Sequence, residues 1–150
     1  MTALLALEPG FFSTVGRGIG AILLYALIGL LLMLLGFWAI DLTTPGKLNR
    51  MVRDGLPNAV IVTAAGMVSM ALIVVTAIWS VSGALAEGLL ASLIFGLVGI
   101  IAQVLAVRLL EWVTGIDIGS VLAAPDVRPQ AWVVAAAHIG LGLVVAVAIL

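Results

Sequence analysis

The 150-residue chain carries six basic and seven acidic residues, a net charge of −1, and no cysteine. Charged residues make up 9% and hydrophobic residues 65% of it, with a mean hydropathy of +1.40, whereas an ordinary soluble domain is about 25% charged. So few charges cannot cover a water-soluble core, and the bilayer must be the solvent for most of the surface. The balance of charge argues against a nucleic acid partner, and the lack of cysteine excludes thiolate catalysis and cysteine-bound metals.

The first element is an N-terminal interfacial segment, residues 1–18. Its first seven residues carry no positive charge, and Glu8-Pro9-Gly10 interrupts the apolar run, which is not the pattern of a cleavable signal peptide. We expect Phe11 and Phe12 to lie at the headgroup level and Arg17 at the water boundary.

Four stretches are then long and apolar enough to cross the hydrocarbon core, which takes about 20 residues. They cover 20–40, 58–79, 88–110 and 130–150. Each tryptophan lies near the end of a stretch, as expected of an interfacial belt: Trp38, Trp79, Trp112 and Trp132. The sequence predicts a single all-α integral membrane domain, 1–150, with four transmembrane helices.

Orientation follows from the distribution of lysine and arginine around two long loops, 41–57 and 111–129, and the short turn 80–87. All basic residues except Arg17 lie in or beside the long loops: Lys47, Arg50, Arg53, Arg108 and Arg128. Because basic loops stay inside, we expect both long loops in the cytoplasm and both termini outside.

An internal repeat divides the chain into units of about 20–79 and 88–150. The second and fourth spans align at an offset of 72, where 57–65 and 129–137 share five identical residues of nine. The first and third spans align at an offset of 70 and end in matching acids. Because each unit crosses the membrane twice, the copies are expected to be parallel helix–loop–helix repeats.

Thr44-Pro45 after the first span, and Gly55, Asn58, Ala59 and Gly66 around the second, carry a family resemblance. With the duplicated four-helix pattern, these residues resemble the YjfL-like family of small, uncharacterised bacterial inner-membrane proteins. The resemblance covers about residues 20–150. It implies a four-helix fold in the bacterial cytoplasmic (inner) membrane and no particular activity.

His138 and Gln103 form the candidate intramembrane polar site. His138 lies nine residues beyond Pro129, or about 14 Å along a helix, and an ionisable group at that depth is a functional candidate. It could be a neutral imidazole bonded to a neighbouring helix, a group in a proton or solute path, or, in an oligomer, a metal or haem ligand. Stripes of glycine and alanine flank both residues. We expect the two side chains to contact each other within a packed bundle.

Charged residues at the loop side provide two weaker candidates. Asp41 and Glu111 end the odd-numbered spans, and they fit a solvated helix end or an ion pair with Arg108 better than acid–base chemistry or a cation site. Lys47, Arg50 and Arg53 are spaced three apart with apolar residues between them. That pattern predicts a short helix on anionic lipid, with docking of a soluble partner as the alternative.

Function is the least constrained property of the sequence. It contains no catalytic triad order, HExxH or glycine-rich phosphate loop, so we predict no enzyme, no catalytic residues, no metal and no cofactor. A structural or accessory subunit, acting through self-association or a membrane-protein partner in the lipid bilayer, is the first interpretation. The alternative is an oligomeric channel or transporter for a small solute or cation.

Overall fold

A computed structural model describes residues 10–44, 46–80 and 84–150, which form helices and connecting turns without a strand. Four helices are long and apolar enough to cross a membrane, and two are short. In chain order they are α1 Phe11–Thr43, α2 Leu48–Arg53, α3 Pro57–Ser80, α4 Leu85–Thr114, α5 Ile118–Ala123 and α6 Pro129–Ile149. The predicted all-α fold with four transmembrane helices is confirmed. Both halves have the order long, short, long, which is the order that two copies of one unit would give. The duplication itself stays a prediction.

Local sequence accounts for several helix ends. Pro57 and Pro129 occupy the first turn of α3 and α6, where a missing N–H costs nothing. Gly115 ends α4 with φ +67°, a conformation that glycine adopts without strain. Asp117 precedes α5, and its side chain accepts a hydrogen bond from the backbone N–H of Ser120 at 3.1 Å.

The first span is longer than the sequence predicts, because α1 begins at Phe11. Residues 11–18 are the first turns of this helix, so they do not form a segment separate from the span 20–40. No proline interrupts residues 11–43, and the three glycines at 16, 18 and 20 are tolerated in a long apolar helix. The helix is about 50 Å long, against about 30 Å of hydrocarbon, and residues 11–19 are all exposed. Residues 1–9 lie outside the described part.

The two long loops are not open connections, since each contains a short helix docked on the bundle. The sequence predicts α2 as a helix lying on lipid, but its apolar side chains Leu48 and Met51 are buried in the protein. They pack with Ile118 and Leu122 of α5 over the ends of the long helices. Burial of these two side chains in the bundle removes apolar area from water, which stabilises the docked position of α2. We call the end of the bundle that carries α2 and α5 the capped end.

Packing of the long helices places α3 and α4 in the middle of the bundle. Each of them packs against the three other long helices, and the most extensive contact joins α3 to α6. Both α3 and α6 lead away from the capped end, so they are parallel. This parallel pair, with α4 beside it, encloses the deepest polar residues.

Candidate functional site

A layer of buried polar side chains lies between two apolar clusters inside the bundle. The cluster at the capped end includes Ala59, Val62 and Val134, and the cluster at the opposite end includes Met70 and Ile73. Along α3, α4 and α6, the polar residues lie between the positions that contribute to these clusters. The layer consists of Thr63, Ser69, Gln103 and His138. These side chains are therefore screened from both membrane surfaces by packed hydrocarbon.

Gln103 and His138 are brought together, as the sequence predicts. Gln103 Nε2 lies 2.8 Å from His138 Nδ1 and donates to the His138 backbone oxygen at 3.2 Å. A carbonyl oxygen only accepts hydrogen bonds, so the amide nitrogen of Gln103 must face it. The same nitrogen then donates to Nδ1, which places the proton of the neutral imidazole on Nε2. One amide group thus fixes both the position and the tautomer of the histidine.

His138 also packs against Gly66, the residue with which it is paired in the repeat alignment. A Cβ added to Gly66 would lie 3.7 Å from His138 Nδ1 and 3.2 Å from Ile40 Cδ1. Equivalent positions on the parallel helices α3 and α6 therefore face each other. A side chain larger than glycine at position 66 would contact both the imidazole and Ile40.

The oxygen of the Gln103 side chain has no hydrogen-bond partner although it is fully buried. An unsatisfied buried acceptor costs about 1–3 kcal/mol. A cavity of about 20 Å³ lies beside it, between the polar layer and the capped end. Its polar lining comes from Gln103, His138, Thr44 and Arg108, and the rest is apolar. The hydroxyls of Thr63 and Ser69 are also buried without a partner, but neither lines this cavity.

Glycines on the packing faces receive side chains from neighbouring helices, which is the role that the small-residue stripes predict. Met70 Sδ lies 2.6 Å from where a Cβ of Gly36 would stand. A Cβ on Gly142 would lie 2.9 Å from the backbone Cα of Ser69, so α3 and α6 are in near backbone contact there. Such close approach is what small residues permit in membrane helices.

The helix-end acids Asp41 and Glu111 each bind the start of the short helix that follows. Asp41 Oδ1 accepts from the Asn49 N–H at 2.8 Å, and Glu111 Oε1 accepts from the Ile118 N–H at 3.2 Å. Glu111 also forms the predicted ion pair with Arg108, at 2.7 Å. These partners make the acids capping groups for α2 and α5, each stabilising its helix by about 1 kcal/mol.

The basic residues of the first loop stay on the surface of the protein. Lys47, Arg50 and Arg53 are exposed on the side of α2 that faces away from the bundle. Arg50 Nε lies 3.7 Å from Asp54 Oδ2, both side chains being largely exposed, so the pair is weak. The three bases are not brought near the polar layer.

Asn58 is a buried polar residue to which the residue pattern alone gave no role. Its Nδ2 donates to the backbone oxygens of Ala124 and Asp126 at 3.0 and 2.8 Å, and its Oδ1 accepts from the Arg128 N–H at 2.8 Å. The side chain thus fastens the α5–α6 connection to the start of α3. The sequence contained one sign of this role, an amide side chain directly after Pro57 that corresponds to Gln130 after Pro129. Gln130 itself is exposed.

Within the described ranges, no three histidine, cysteine, aspartate or glutamate residues lie close enough to share a metal ion. The polar layer offers an amide, an imidazole and two hydroxyls, and the imidazole nitrogen nearest the amide is already hydrogen-bonded. Chemically, such a set can bind a small polar molecule or fix the packing of helices.

Comparisons with known proteins identify the family. The model for DUF350, a Domain of Unknown Function, matches residues 14–149. The chain is 32% identical over 148 residues to a UPF0719 transmembrane protein of Mycolicibacterium paratuberculosis, covering 97% of this chain and 98% of that protein. It is 33% identical over 134 residues to a UPF0719 transmembrane protein of Mycobacterium bovis, covering 89% and 88%. No solved structure matches.

Neither family name is that of the YjfL-like family, so the predicted resemblance is supported as far as a small membrane-protein family of unknown function. The relatives are called transmembrane proteins, in agreement with the four apolar helices described above. Because the family model covers almost the whole bundle, from the second turn of α1 to the end of α6, the chain belongs to the DUF350 family of multi-spanning membrane proteins.

Proposed function

We propose that this protein is a structural or accessory subunit that works through association in the bilayer, with copies of itself or with another membrane protein. The observation that carries the proposal is the packed interior of the bundle, in which the cavity beside Gln103 measures about 20 Å³. Apolar clusters close it on both sides of the polar layer, and Gln103 and His138 bond to each other. A solute path through one chain would have to break these contacts.

The outer surface supports the same proposal, because it is what the fold leaves available. All four long helices expose large apolar side chains, and an open groove of about 520 Å³ follows α3 and α6 on the outside. With no hydrophobic gain over lipid, helices associate in membranes through close packing. Small side chains along this groove, among them Ala64 and Ala136, permit such packing.

The test is the mass of the assembly, measured by native mass spectrometry after extraction from the native membrane into lipid nanodiscs. We expect a complex of fixed stoichiometry that contains more than one membrane-spanning chain. A monomer alone, at concentrations where other native membrane complexes survive the same extraction, would contradict the proposal. Proteoliposomes that contain the purified chain should leak small cations no faster than empty liposomes.

An oligomeric channel or transporter for a small solute or cation is the second candidate. The cavity beside Gln103, with its unpartnered oxygen, is the observation that favours it. Flux that requires assembled oligomers and falls with His138→Ala, while Gln130→Ala leaves it unchanged, would support this candidate over the first. Gln130 is the control because its side chain is exposed and does not line the cavity.

Kinship, location and membrane orientation of the protein are also proposed. We infer kinship with the YjfL-like family, a location in the bacterial cytoplasmic membrane, and a capped end that faces the cytoplasm. The five bases in or beside the two long loops support that orientation. Cysteines introduced singly at Lys47 and Leu150 would test it, since a membrane-impermeant thiol reagent on intact cells should label position 150 alone. Labelling of position 47 alone would invert the topology.

A further inference from the structure

The geometry points to a hydration site inside the membrane: we propose that Gln103 Oε1 binds one water molecule in the cavity beneath α2 and α5. The first observation is the oxygen itself. It belongs to the fully buried residue Gln103, which lines the cavity, and it has no protein partner. An amide oxygen has two lone pairs, so a donor that the protein does not supply must come from a ligand.

The size of the cavity selects the ligand. The space open to the centre of a water-sized sphere is about 20 Å³. About 10–15 Å³ of such space holds one water molecule. A solute much larger than water does not fit without moving the surrounding side chains. The site therefore takes a single small hydrogen-bond donor.

The lining selects a neutral donor over ammonium, which has a similar size. Among the described residues that line the cavity, Arg108 is the one charged group and no side chain is acidic. A cation placed there would lose its hydration without gaining a counter-charge. Water meets no such penalty.

Further polar atoms can complete the coordination of the water. A buried water makes about three hydrogen bonds, and the imidazole of His138 and the hydroxyl of Thr44 also line the cavity. Thr44 Oγ1 donates to the Ile40 backbone oxygen at 2.8 Å, which leaves its lone pairs free to accept. Thr44 and Arg108 lie on the side of the cavity toward the capped end.

Polarisation transfer from water to side chains, measured by solid-state NMR in lipid bilayers, tests the proposal on the wild-type chain. Labelling with ¹⁵N at glutamine, asparagine and histidine reports on few positions, because the sequence has two glutamines, two asparagines and one histidine. Exposed Gln130 is the wet reference. Asn58 is the buried reference, because its side chain is fully buried and bonds to the backbone of the α5–α6 connection, part of which water can reach.

We expect the Gln103 amide to gain water magnetisation several-fold faster than Asn58, and about as fast as Gln130. Asn58 is a stringent reference because it lies nearer to the surface of the capped end. A transfer rate at Gln103 equal to or below that at Asn58 would overturn the proposal. Added ammonium chloride should change nothing, and displacement of the water signal by ammonium would assign the site to a cation instead.

A variant pair assigns the water to Gln103. In Gln103→Leu, transfer to the His138 ring should fall, because the cavity loses the Oε1 acceptor and keeps only those of Thr44 and His138. In Ser69→Ala the transfer should stay unchanged, since the unpartnered Ser69 hydroxyl does not line the cavity. Unchanged transfer in Gln103→Leu would contradict the proposal, and if that variant does not fold, the wild-type rates decide.

Discussion

The two halves of the bundle, α1–α3 and α4–α6, agree in the short helices of the capped end and differ in the middle of the membrane. At the capped end, each half has a short helix at a constant offset of 70 residues, and an acid on the preceding long helix binds its N-terminus. In the middle, Gly66 of α3 corresponds to His138 of α6, and Met70 corresponds to Gly142. The two short helices keep the same position and the same kind of cap in both halves. The facing residues of α3 and α6 differ in size, so that a large side chain on one helix lies opposite a small one on the other.

The physical reason lies in the parallel pair α3 and α6. Equivalent positions on such a pair approach each other, so two large side chains would collide and two small ones would leave a void. Gly66 faces His138, and Gly142 receives the backbone of Ser69 from the other half. Met70, in place of a glycine, instead enters the space left by Gly36 of α1.

The largest effect is expected from Gly142→Ala, which adds a methyl group where α6 lies against the backbone of α3. The new Cβ would lie 2.9 Å from Ser69 Cα and 2.8 Å from Ser69 Cβ, so the two helix backbones must separate. We expect a loss of about 3 kcal/mol in the free energy of unfolding. Reversible unfolding by SDS titration in mixed micelles would measure it.

Gly140→Ala is the matched control on the same helix. Nothing lies within 4 Å of a Cβ at that position, so alanine should be neutral or, through its better helix propensity, slightly stabilising. Ser69→Gly should recover part of the loss when combined with Gly142→Ala. Equal effects of the two alanine variants would mean that α3 and α6 do not touch at Gly142.

A smaller loss is expected from Asn58→Ala, which removes the fastening of the α5–α6 connection. The change leaves three backbone groups without partners, those of Ala124, Asp126 and Arg128. Because water can reach part of this connection, we expect about 2 kcal/mol, below the sum for fully buried groups. Hydrogen exchange at the Arg128 amide should accelerate with it.

Gln130→Ala tests the same position in the other half. Gln130 is exposed, and an exposed substitution of this kind changes stability by less than about 0.5 kcal/mol. The difference between the two variants measures how far the two aligned positions differ in their structural role. Similar losses in both variants would show that Gln130 has a structural role that its exposure conceals.

The features that depend on local sequence pattern could be predicted from the sequence. The features that depend on the packing of one helix against another could mostly not be predicted. The four spans and the two helix-end acids could be predicted because each depends on hydropathy or charge within a short stretch of sequence. The contact of Gln103 with His138 was also predictable, since a buried amide and imidazole need partners. Docking of α2 was not, because Leu48 and Met51 suit a lipid surface and a protein surface equally. The role of Asn58 depends on a connection 66–70 residues away.

The smallest effects are expected at the capped end, where the two halves agree. Glu111→Ala should speed hydrogen exchange at the Ile118 amide and leave Asn49 unchanged, and Asp41→Ala should do the reverse, because each acid accepts from one of these amides. Each variant should cost about 0.5–1 kcal/mol, since the Arg108 pair of Glu111 is part-exposed and adds little. If either variant accelerated hydrogen exchange at both amides alike, α2 and α5 would open together as one cooperative unit, and the two caps would not act independently.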